Sequence, residues 1–486
     1  MTSETMPVPK GWEMKRLGDI LQIQNGYAFK STEFIKENAQ KNYVPLIRQS
    51  QLVGNTVDLS DCVYLDKKYL LEKKNYIVNK GDILIGMSGS IGKVSFYEND
   101  YPALLNQRVG KLNVYNHNTF QKYFFAYLLL SLEQDIIQMA KGMGVQNISS
   151  KDIEQLEIPV PPLTTQQAIV NKIETLFAEI DAGIGHLKTA EQQLKQYRQA
   201  LLKNAFNGEL TKQWRAEHAE SLPSAAELLE QIQTAREQHY AQQLADWQSA
   251  VKTWEENGKQ GKKPSKPKMP TQAVQFEEAF AELPNGWLQT QFGNTTEVFV
   301  GSTPSRKNNE YWNGDIFWVS SGEVKFSNIF ETKEKITTLG LNNSSTTIHP
   351  IGTVMLAMIG EGKTRGQAGI LKVEACHNQN TAALRVNKEY LLSEYLYYFF
   401  MFNYEQTRRV GSGNNQKALN KSVIENMFFP ICSLAEQAQI VAILESKLTA
   451  CDQLANEITA QLKQAELLKQ AVLKAAFSGK LLEQSQ

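Results

Sequence analysis

The chain says nearly the same thing twice. Ile153-Glu154-Gln155-Leu156-Glu157-Ile158-Pro159 aligns with Ile424-Glu425-Asn426-Met427-Phe428-Phe429-Pro430, about 271 residues later. The register holds through Ile169-Val170 against Ile440-Val441. It holds again at Asn204-Ala205-Phe206-Asn207-Gly208-Glu209-Leu210 against Ala475-Ala476-Phe477-Ser478-Gly479-Lys480-Leu481. The copies open with Pro9-Lys10-Gly11-Trp12 and Pro284-Asn285-Gly286-Trp287. A duplication of this length gives two equivalent but non-identical faces, which suits a ligand with two halves. It also supplies a test: a duplicated catalytic site should show the same reactive residues in both copies.

Each copy divides into a globular head and a helical tail. In the heads, Gly81-Asp82-Ile83-Leu84-Ile85-Gly86-Met87 and Gly352-Thr353-Val354-Met355-Leu356-Ala357-Met358 read as turns feeding buried strands. Short strand-like runs bounded by Gly, Asn, Ser and Asp point to mixed α/β heads. The aromatic runs Tyr123–Leu130 and Tyr395–Phe400 read as buried core helices rather than stacking platforms.

In the tails, Ile173, Ile180, Leu187, Leu194 and Leu201 recur every seven residues, and Leu444, Cys451, Ile458, Ala465 and Val472 occupy the same positions in the second copy. With Leu176, Ala190 and Tyr197, and Leu448, Leu454 and Leu468, they form the seam of a coiled coil. Thr164–Gln167 and Ser433–Glu436 fit capping boxes one residue out of repeat register, and Gly208 and Gly479 are stop signals. Tails of about 43 residues reach roughly 65 Å. Antiparallel pairing of the two tails buries both seams and makes the molecule pseudo-two-fold. An unrepeated insert separates the copies: Leu222–Glu256 reads as an amphipathic helix and Lys259–Gln275 as a flexible, solvated basic linker.

The rest of the sequence mostly excludes chemistry. Net charge is zero over 486 residues, so DNA affinity in the chain alone is expected to be modest. There is no apolar run long enough to span a bilayer and no secretory h-region. The cysteines Cys62, Cys376, Cys432 and Cys451 lack metal or disulfide spacing, and they read as reduced thiols of an intracellular protein. Gly360-Glu361-Gly362-Lys363-Thr364 lacks the upstream glycine of a phosphate-binding ATPase loop, because position 357 is Ala. Asp315, Glu323 and Lys325 mimic a metal-dependent nuclease, but the first copy has no counterpart carboxylates. Neither an Asn-Pro-Pro-Tyr-like methylation motif nor a dinucleotide-binding G-x-G-x-x-G is present.

The positive signals are polar and donor-rich, and they recur at matching places. Gly89-Ser90-Ile91-Gly92-Lys93 and Gly360–Thr364 follow equivalent strands. Asn106-Gln107-Arg108 answers His377-Asn378-Gln379-Asn380, and Gly142–Asn147 answers Gly411–Lys417. Amides read adenine edges and guanidinium groups read guanine, while glycine lets backbone approach phosphate. In the first head the residues set against DNA are Arg48, Gln49, Ser88, Ser90, Lys93, Asn106, Gln107, Arg108, Gln146 and Asn147. In the second they are Arg306, Ser320, Ser321, Lys363, Arg365, Asn378, Gln379 and Asn380, with Asn414, Asn415, Gln416 and Lys417.

From Pro9 to Leu482 the chain resembles the DNA-specificity (S) subunits of type I restriction–modification systems. The resemblance is specific at Gly301-Ser302-Thr303-Pro304-Ser305-Arg306, at Tyr311–Glu323, at Gly81–Leu84 with Gly89–Lys93, at Ile158–Leu163 and at Asn204–Leu210. It implies an α/β protein in which two target-recognition domains, 1–162 and 283–433, each read half of an asymmetric bipartite sequence in double-stranded DNA. Long helices at 163–208 and 434–486 would then act as an antiparallel coiled-coil ruler, with a helical insert and basic linker at 209–282. The resemblance further implies two methyltransferase (M) subunits and restriction (R) subunits as partners, in the cytoplasm and without membrane association. S-adenosylmethionine, ATP and Mg belong to those partners, and no cofactor, metal or catalytic residue is expected in this chain. The competing expectations are a protein-interaction scaffold or decoy that ignores DNA, and a self-contained nuclease at Asp315, Glu323 and Lys325.

Overall fold

The computed structural model describes residues 8–36, 42–142, 147–260, 263–267, 269, 283–360, 362–409 and 419–482. The chain divides into two units, one made of Met1–Ala190 with Glu457–Gln486 and the other of Glu191–Asn456. Each unit therefore holds one head, the opening part of that head's own long helix and the closing part of the other repeat's helix.

In the first unit a six-stranded sheet runs in the order Leu21–Asn25, Val109–Val114, Ile83–Gly86, Val94–Phe96, Thr56–Val57, Leu52–Val53. A four-stranded sheet follows the order Val63–Asp66, Tyr43–Ile47, Ala103–Leu105, Ile77–Val78. Glu13–Arg16 pairs antiparallel with Glu157–Val160 and ties the start of the head to its end. The second unit repeats the plan. Its five-stranded sheet is Thr296–Val300, Thr381–Val386, Val354–Ala357, Ala368–Leu371, Ser327–Ile329, its three-stranded sheet is Glu334–Ile336, Trp312–Val319, Ala375–His377, and Leu288–Gln291 pairs with Phe428–Ile431. Mixed sheets with short strands follow from the brief apolar runs and frequent turn residues. The aromatic runs form helices Lys122–Ser131 and Ser393–Phe402, and Phe124, Phe125, Phe399 and Phe400 are fully buried.

The long helices span Leu163–Phe206 and Leu434–Phe477, 44 residues each, or about 66 Å. In the first unit Lys469 Nζ donates to Asp181 at 2.5 Å and lies over the Phe177 ring. Ile169, Val170 and Ile173 share a core there with Val472, Leu473 and Phe477. One helix descends as the other ascends, so the pairing is antiparallel. The same sense holds in the second unit, where Arg198 pairs with Asp452, and Leu201 and Phe206 share a core with Ile440 and Leu444. Ile173, Leu201, Leu444, Cys451, Ile458 and Val472 are buried; Ile180, Leu187, Leu194 and Ala465 are partly covered. Tyr197, Leu454 and Leu468 differ from the seam expected of them and stay about half exposed. Phe177 and Ile184 are buried instead, because each follows a seam residue, Ile173 or Ile180, by four positions and so lies on the same helix face.

Both helix starts correct the capping boxes. The first helix already begins at Leu163, behind Pro161 and Pro162, so Thr164 lies inside its first turn. Ser433 does cap the second, accepting the Glu436 N–H at 3.3 Å, but the Glu436 carboxylate turns elsewhere. It accepts from Thr211 Oγ1 (2.7 Å) and Trp287 Nε1 (2.9 Å), with Arg215 at 3.4 Å. A buried carboxylate is tolerable only with its lone pairs satisfied in this way. The start positions thus fall in repeat register after all. Buried glutamines hold them: Gln166 accepts the Gln121 N–H (2.9 Å) and donates to Pro161 O (2.8 Å), while Gln437 accepts the Leu392 N–H (3.0 Å) and donates to Cys432 O (2.8 Å).

The helix ends carry positive-φ glycines, Gly208 at 78° and Gly479 at 81°, as the stop signals require. They also abut the opening of the other repeat. A Cβ on Gly208 would lie 2.3 Å from Pro284, and one on Gly479 2.8 Å from Pro9.

The insert helix is Ala225–Glu256, capped by a reciprocal Ser224–Glu227 box. Leu228 and Ile232 bury into the second unit's core. The linker, expected to be flexible and solvated, keeps Lys263 and Lys266 exposed but touches the insert helix where it is described: Trp247 Nε1 donates to Pro264 O at 3.0 Å, and Lys263 and Lys266 sit over Trp254 and Trp247. Extended Lys-Pro backbone has no internal hydrogen bonds, which leaves the Pro264 carbonyl available to an indole. Among the described residues no helix is long and apolar enough to cross a membrane, and no group of three His, Cys, Asp or Glu could hold a metal.

Candidate nucleic-acid interface

The first head gathers its polar loops at one end of its sheets. Asn106, buried, donates its N–H to Ile47 O at 3.0 Å, which locks the Asn106-Gln107-Arg108 turn to the end of the strand that Arg48 follows. Arg108 O accepts the Met87 N–H at 3.1 Å, joining the same turn to the Ser88–Lys93 loop. Ser90 Oγ donates to Gln49 O at 3.1 Å, and Ser88 bridges to Asn147. Arg48, Gln49, Ser88, Ser90, Asn106–Arg108 and Asn147 are therefore neighbours, with Gln107, Arg108 and Asn147 exposed. Lys93 sits half-buried beside Glu133, whose carboxyl burial pushes up while Lys93 pulls it down. Arg48 Nε and Gln49 Oε1 are buried without a hydrogen-bond partner among the described residues. Gln146 lies outside those residues.

The second head repeats the backbone bonds that hold this turn. Asn378 N–H donates to Val319 O at 3.0 Å, and Asn380 O accepts the Met358 N–H at 2.9 Å. Ser302 N–H donates to His377 O (3.0 Å), as Tyr27 N–H does to Leu105 O (2.9 Å) in the first head. These close approaches require glycine just before them. A Cβ on Gly26 would stand 2.2 Å from Asn106 O, and one on Gly301 2.0 Å from His377 O.

On that frame the side chains differ. Gln379, exposed, accepts from Thr303 Oγ1 at 2.5 Å, and Asn378 Oδ1 accepts the Asn380 N–H at 3.0 Å. Arg306 is exposed but occupied: its guanidinium stacks on Trp312 at 3.7 Å and grips Glu334 with two nitrogens. Ser320 is committed to a cap, its N–H and Oγ both donating to Glu323 Oε2 (2.8 and 2.6 Å), and Ser321 lies in the short helix it starts. Lys363 is exposed and offers its carbonyl to Tyr404, while Arg365 donates to Arg408 O and keeps Nε buried without a partner among the described residues. Asn414, Asn415, Gln416 and Lys417 lie outside the described residues.

The nuclease-like trio dissolves on inspection. Glu323 spends its second oxygen on the Lys333 N–H (2.7 Å) and Asp315 is an exposed strand residue. The aromatic partners were not foreseen: Tyr27 beneath Lys73 at 4.0 Å, and Trp312 and Trp318 around Arg306. An arginine five residues before a Tyr-Trp pair was the available signal, since guanidinium groups stack on indole faces.

Comparison with known proteins agrees with the duplicated frame. The type I restriction modification DNA specificity domain matches residues 9–189 and again 284–464, and the chain belongs to that family. It is 25% identical to the type I restriction enzyme EcoBI specificity subunit of Escherichia coli, across 99% of this chain and 88% of that one. It is 22% identical to a putative type I restriction enzyme MjaX specificity subunit of Methanocaldococcus jannaschii, across 99% and 96%. The fold is shared with the HsdS subunit from Thermoanaerobacter tengcongensis (TM-score 0.53, 17% identity, 99% of this chain and 100% of that one). It is also shared with a chain from a structural study of complex assembly in the type I R-M system (TM-score 0.64, 16% identity, 98% and 99%).

Proposed function

We propose that each head reads one half of a bipartite sequence in double-stranded DNA, and that the chain supplies address rather than chemistry to a type I restriction–modification complex. One observation carries this reading: the same loop frame is built twice by matching backbone bonds, with different side chains mounted on it. A shared catalytic task would keep the side chains and let the frame drift. A reading task keeps the frame and changes the side chains, because backbone and phosphate contacts position while base-edge contacts specify. The buried Arg48 Nε, Gln49 Oε1 and Arg365 Nε, without partners among the described residues, support it, since such atoms cost about 1–3 kcal/mol each until a ligand satisfies them.

On this reading the long helix pair sets the gap between half-sites and docks two methyltransferase subunits, with restriction subunits joining the complex. S-adenosylmethionine, ATP and Mg serve those partners. The half-exposed Tyr197 and Leu454 in one unit, and Leu467 and Leu468 in the other, support docking, as apolar side chains left on otherwise polar helix surfaces. Effective concentration then makes two weak heads one selective reader, which suits a chain of zero net charge. The test is exchange of residues 1–162 for a relative's head, read by mapping adenine methylation. One half-site should change and the other persist. Change in both, or in neither, would count against the reading.

A further inference from the structure

Beneath the recognition turn of the second head lies a polar chain that the first head does without. Arg385 Nε donates to His349 Nδ1 at 3.0 Å, His349 Nε2 faces His377 Nε2 at 3.1 Å, and His377 Nδ1 faces Thr381 Oγ1 at 2.8 Å. Thr381 Oγ1 in turn donates to Asn378 O at 3.1 Å. The direction of every bond is fixed from one end. The guanidinium can only donate, so His349 Nδ1 is bare and its Nε2 carries the proton. That proton points at His377 Nε2, which must be bare, so His377 carries its own on Nδ1 and gives it to Thr381. His349, His377 and Thr381 are essentially fully buried.

The strand register names the counterparts in the first head. His377 lies opposite Val319 as Leu105 lies opposite Ile47, Thr381 pairs with Ala357 as Val109 pairs with Gly86, and His349 bridges Ala375 as Val78 pairs with Ala103. Val78, Leu105 and Val109 are fully buried members of one apolar core. Arg385, opposite Glu297, answers Asn113, opposite Gln22. The frame therefore closes on three apolar side chains and the Asn113 amide, which donates to Gln24 Oε1 at 3.0 Å, in one head, and on two imidazoles, a hydroxyl and a guanidinium in the other.

Stability gives no reason for that exchange. A satisfied buried polar network is at best comparable to well-packed apolar groups, and it fails badly if one member is lost. Burial also holds both imidazoles neutral, His349 down at about 3 and His377 at about 4, with the Arg385 charge adding to the effect. Through its two imidazoles the polar chain joins the loop around 344–349 to the 377–381 turn, and the His377 backbone carbonyl extends that junction. His377 O receives Ser302 N–H and Thr346 Oγ1 (2.8 Å), and Ser302 Oγ accepts the Ser345 N–H (3.0 Å). Three segments, around 301–306, 344–349 and 377–381, converge on one imidazole-bearing residue.

We propose that the Arg385–His349–His377–Thr381 chain is a specificity-positioning device, which sets the pose of the Asn378-Gln379-Asn380 turn and so the strictness of the second half-site alone. These residues touch no base; they act through the turn. The inference rests on the proposed reading of DNA by the two heads.

The test is the first head's own set placed in the second: His349→Val, His377→Leu, Thr381→Val and Arg385→Asn together, with isosteric Thr381→Val alone as the milder variant. Each full-length variant is expressed with its partner methyltransferase and adenine methylation is mapped. We expect methylation at sites carrying one mismatch in the second half to rise at least tenfold, the first half-site and the gap to stay as strict as before, and the thermal midpoint of the four-fold variant not to fall. Should the four-fold variant not fold, Thr381→Val decides by the same readout. Folded variants with both half-sites still strict, or with both equally relaxed, would overturn the inference while leaving the wild-type split motif in place. Absence of any split motif with the wild-type chain would instead remove the reading beneath it.

Discussion

Phe477 lies edge to face against Phe124, ring centroids 5.3 Å apart, so the closing helix of the second repeat ends inside the head of the first. Phe206 does the same to Phe399 in the other unit, also at 5.3 Å. The pairing turns the Ala-Phe-x-Gly motif at each helix end from a stop signal into an anchor. A buried Phe→Ala exchange costs about 3–5 kcal/mol. Phe477→Ala should therefore destabilise the N-terminal head before the C-terminal one, with the earliest loss of amide protection around Phe124 and Phe125. Hydrogen exchange with peptide-level mass analysis checks this; loss confined to the C-terminal helix would contradict it.

Arg306 is held by Glu334, and that carboxylate competes with any phosphate or base for the same guanidinium. Their mutual hydrogen bonds and opposite charges hold Glu334 below and Arg306 above their ordinary values, against the opposing effect of burial, and the pair is half exposed. A pair of this kind is worth about 1 kcal/mol or less. Glu334→Gln should raise DNA affinity of the assembled complex up to about fivefold and steepen its salt dependence by about one unit of log–log slope. Binding isotherms at several salt concentrations report both. An unchanged slope would show that Arg306 never reaches DNA.

Gly26 and Gly301 are close-approach glycines whose added Cβ would collide with Asn106 O and His377 O. Neither carbonyl can retreat without breaking the turn it belongs to. Gly26→Ala should relax only the first half-site and Gly301→Ala only the second, each by roughly tenfold or more, about the 1–3 kcal/mol expected of a strained or misplaced backbone contact. Methylation mapping of the two variants side by side separates them.

Acid should act on the second unit through its histidines. Both are held far below the ordinary value near 6.5, so the unfolded chain takes up protons that the folded chain refuses. The stability they contribute is whole above about pH 6.5 and is lost as pH falls toward 4. Thermal melting followed from pH 7 to pH 4 should show the second unit failing first, and the four-fold apolar variant should flatten that dependence.

Much of this architecture was legible because it was written twice. The heptads of Ile173–Leu201 and Leu444–Val472 gave both helices and their antiparallel pairing, since a repeat forces its two seams to seek each other. The turns at Asn106 and Asn378 stood out because they recur after equivalent strands. What did not show is what depends on distant pairing. Gln166 and Gln437 look like ordinary solvent-facing glutamines until the aromatic helix arrives to donate to them. Glu436 matched a local cap, yet a buried indole and hydroxyl from far upstream outbid the backbone for it. The histidine chain left no pattern, because residues 349, 377, 381 and 385 become neighbours only through strand register.

The most direct test of the account is single-molecule mapping of adenine methylation in cells that carry this chain with its methyltransferase, compared with cells that lack only this chain. The account predicts a split motif, two fixed half-sites around a fixed gap, present only when the chain is present. An active methyltransferase that leaves no such motif would contradict it.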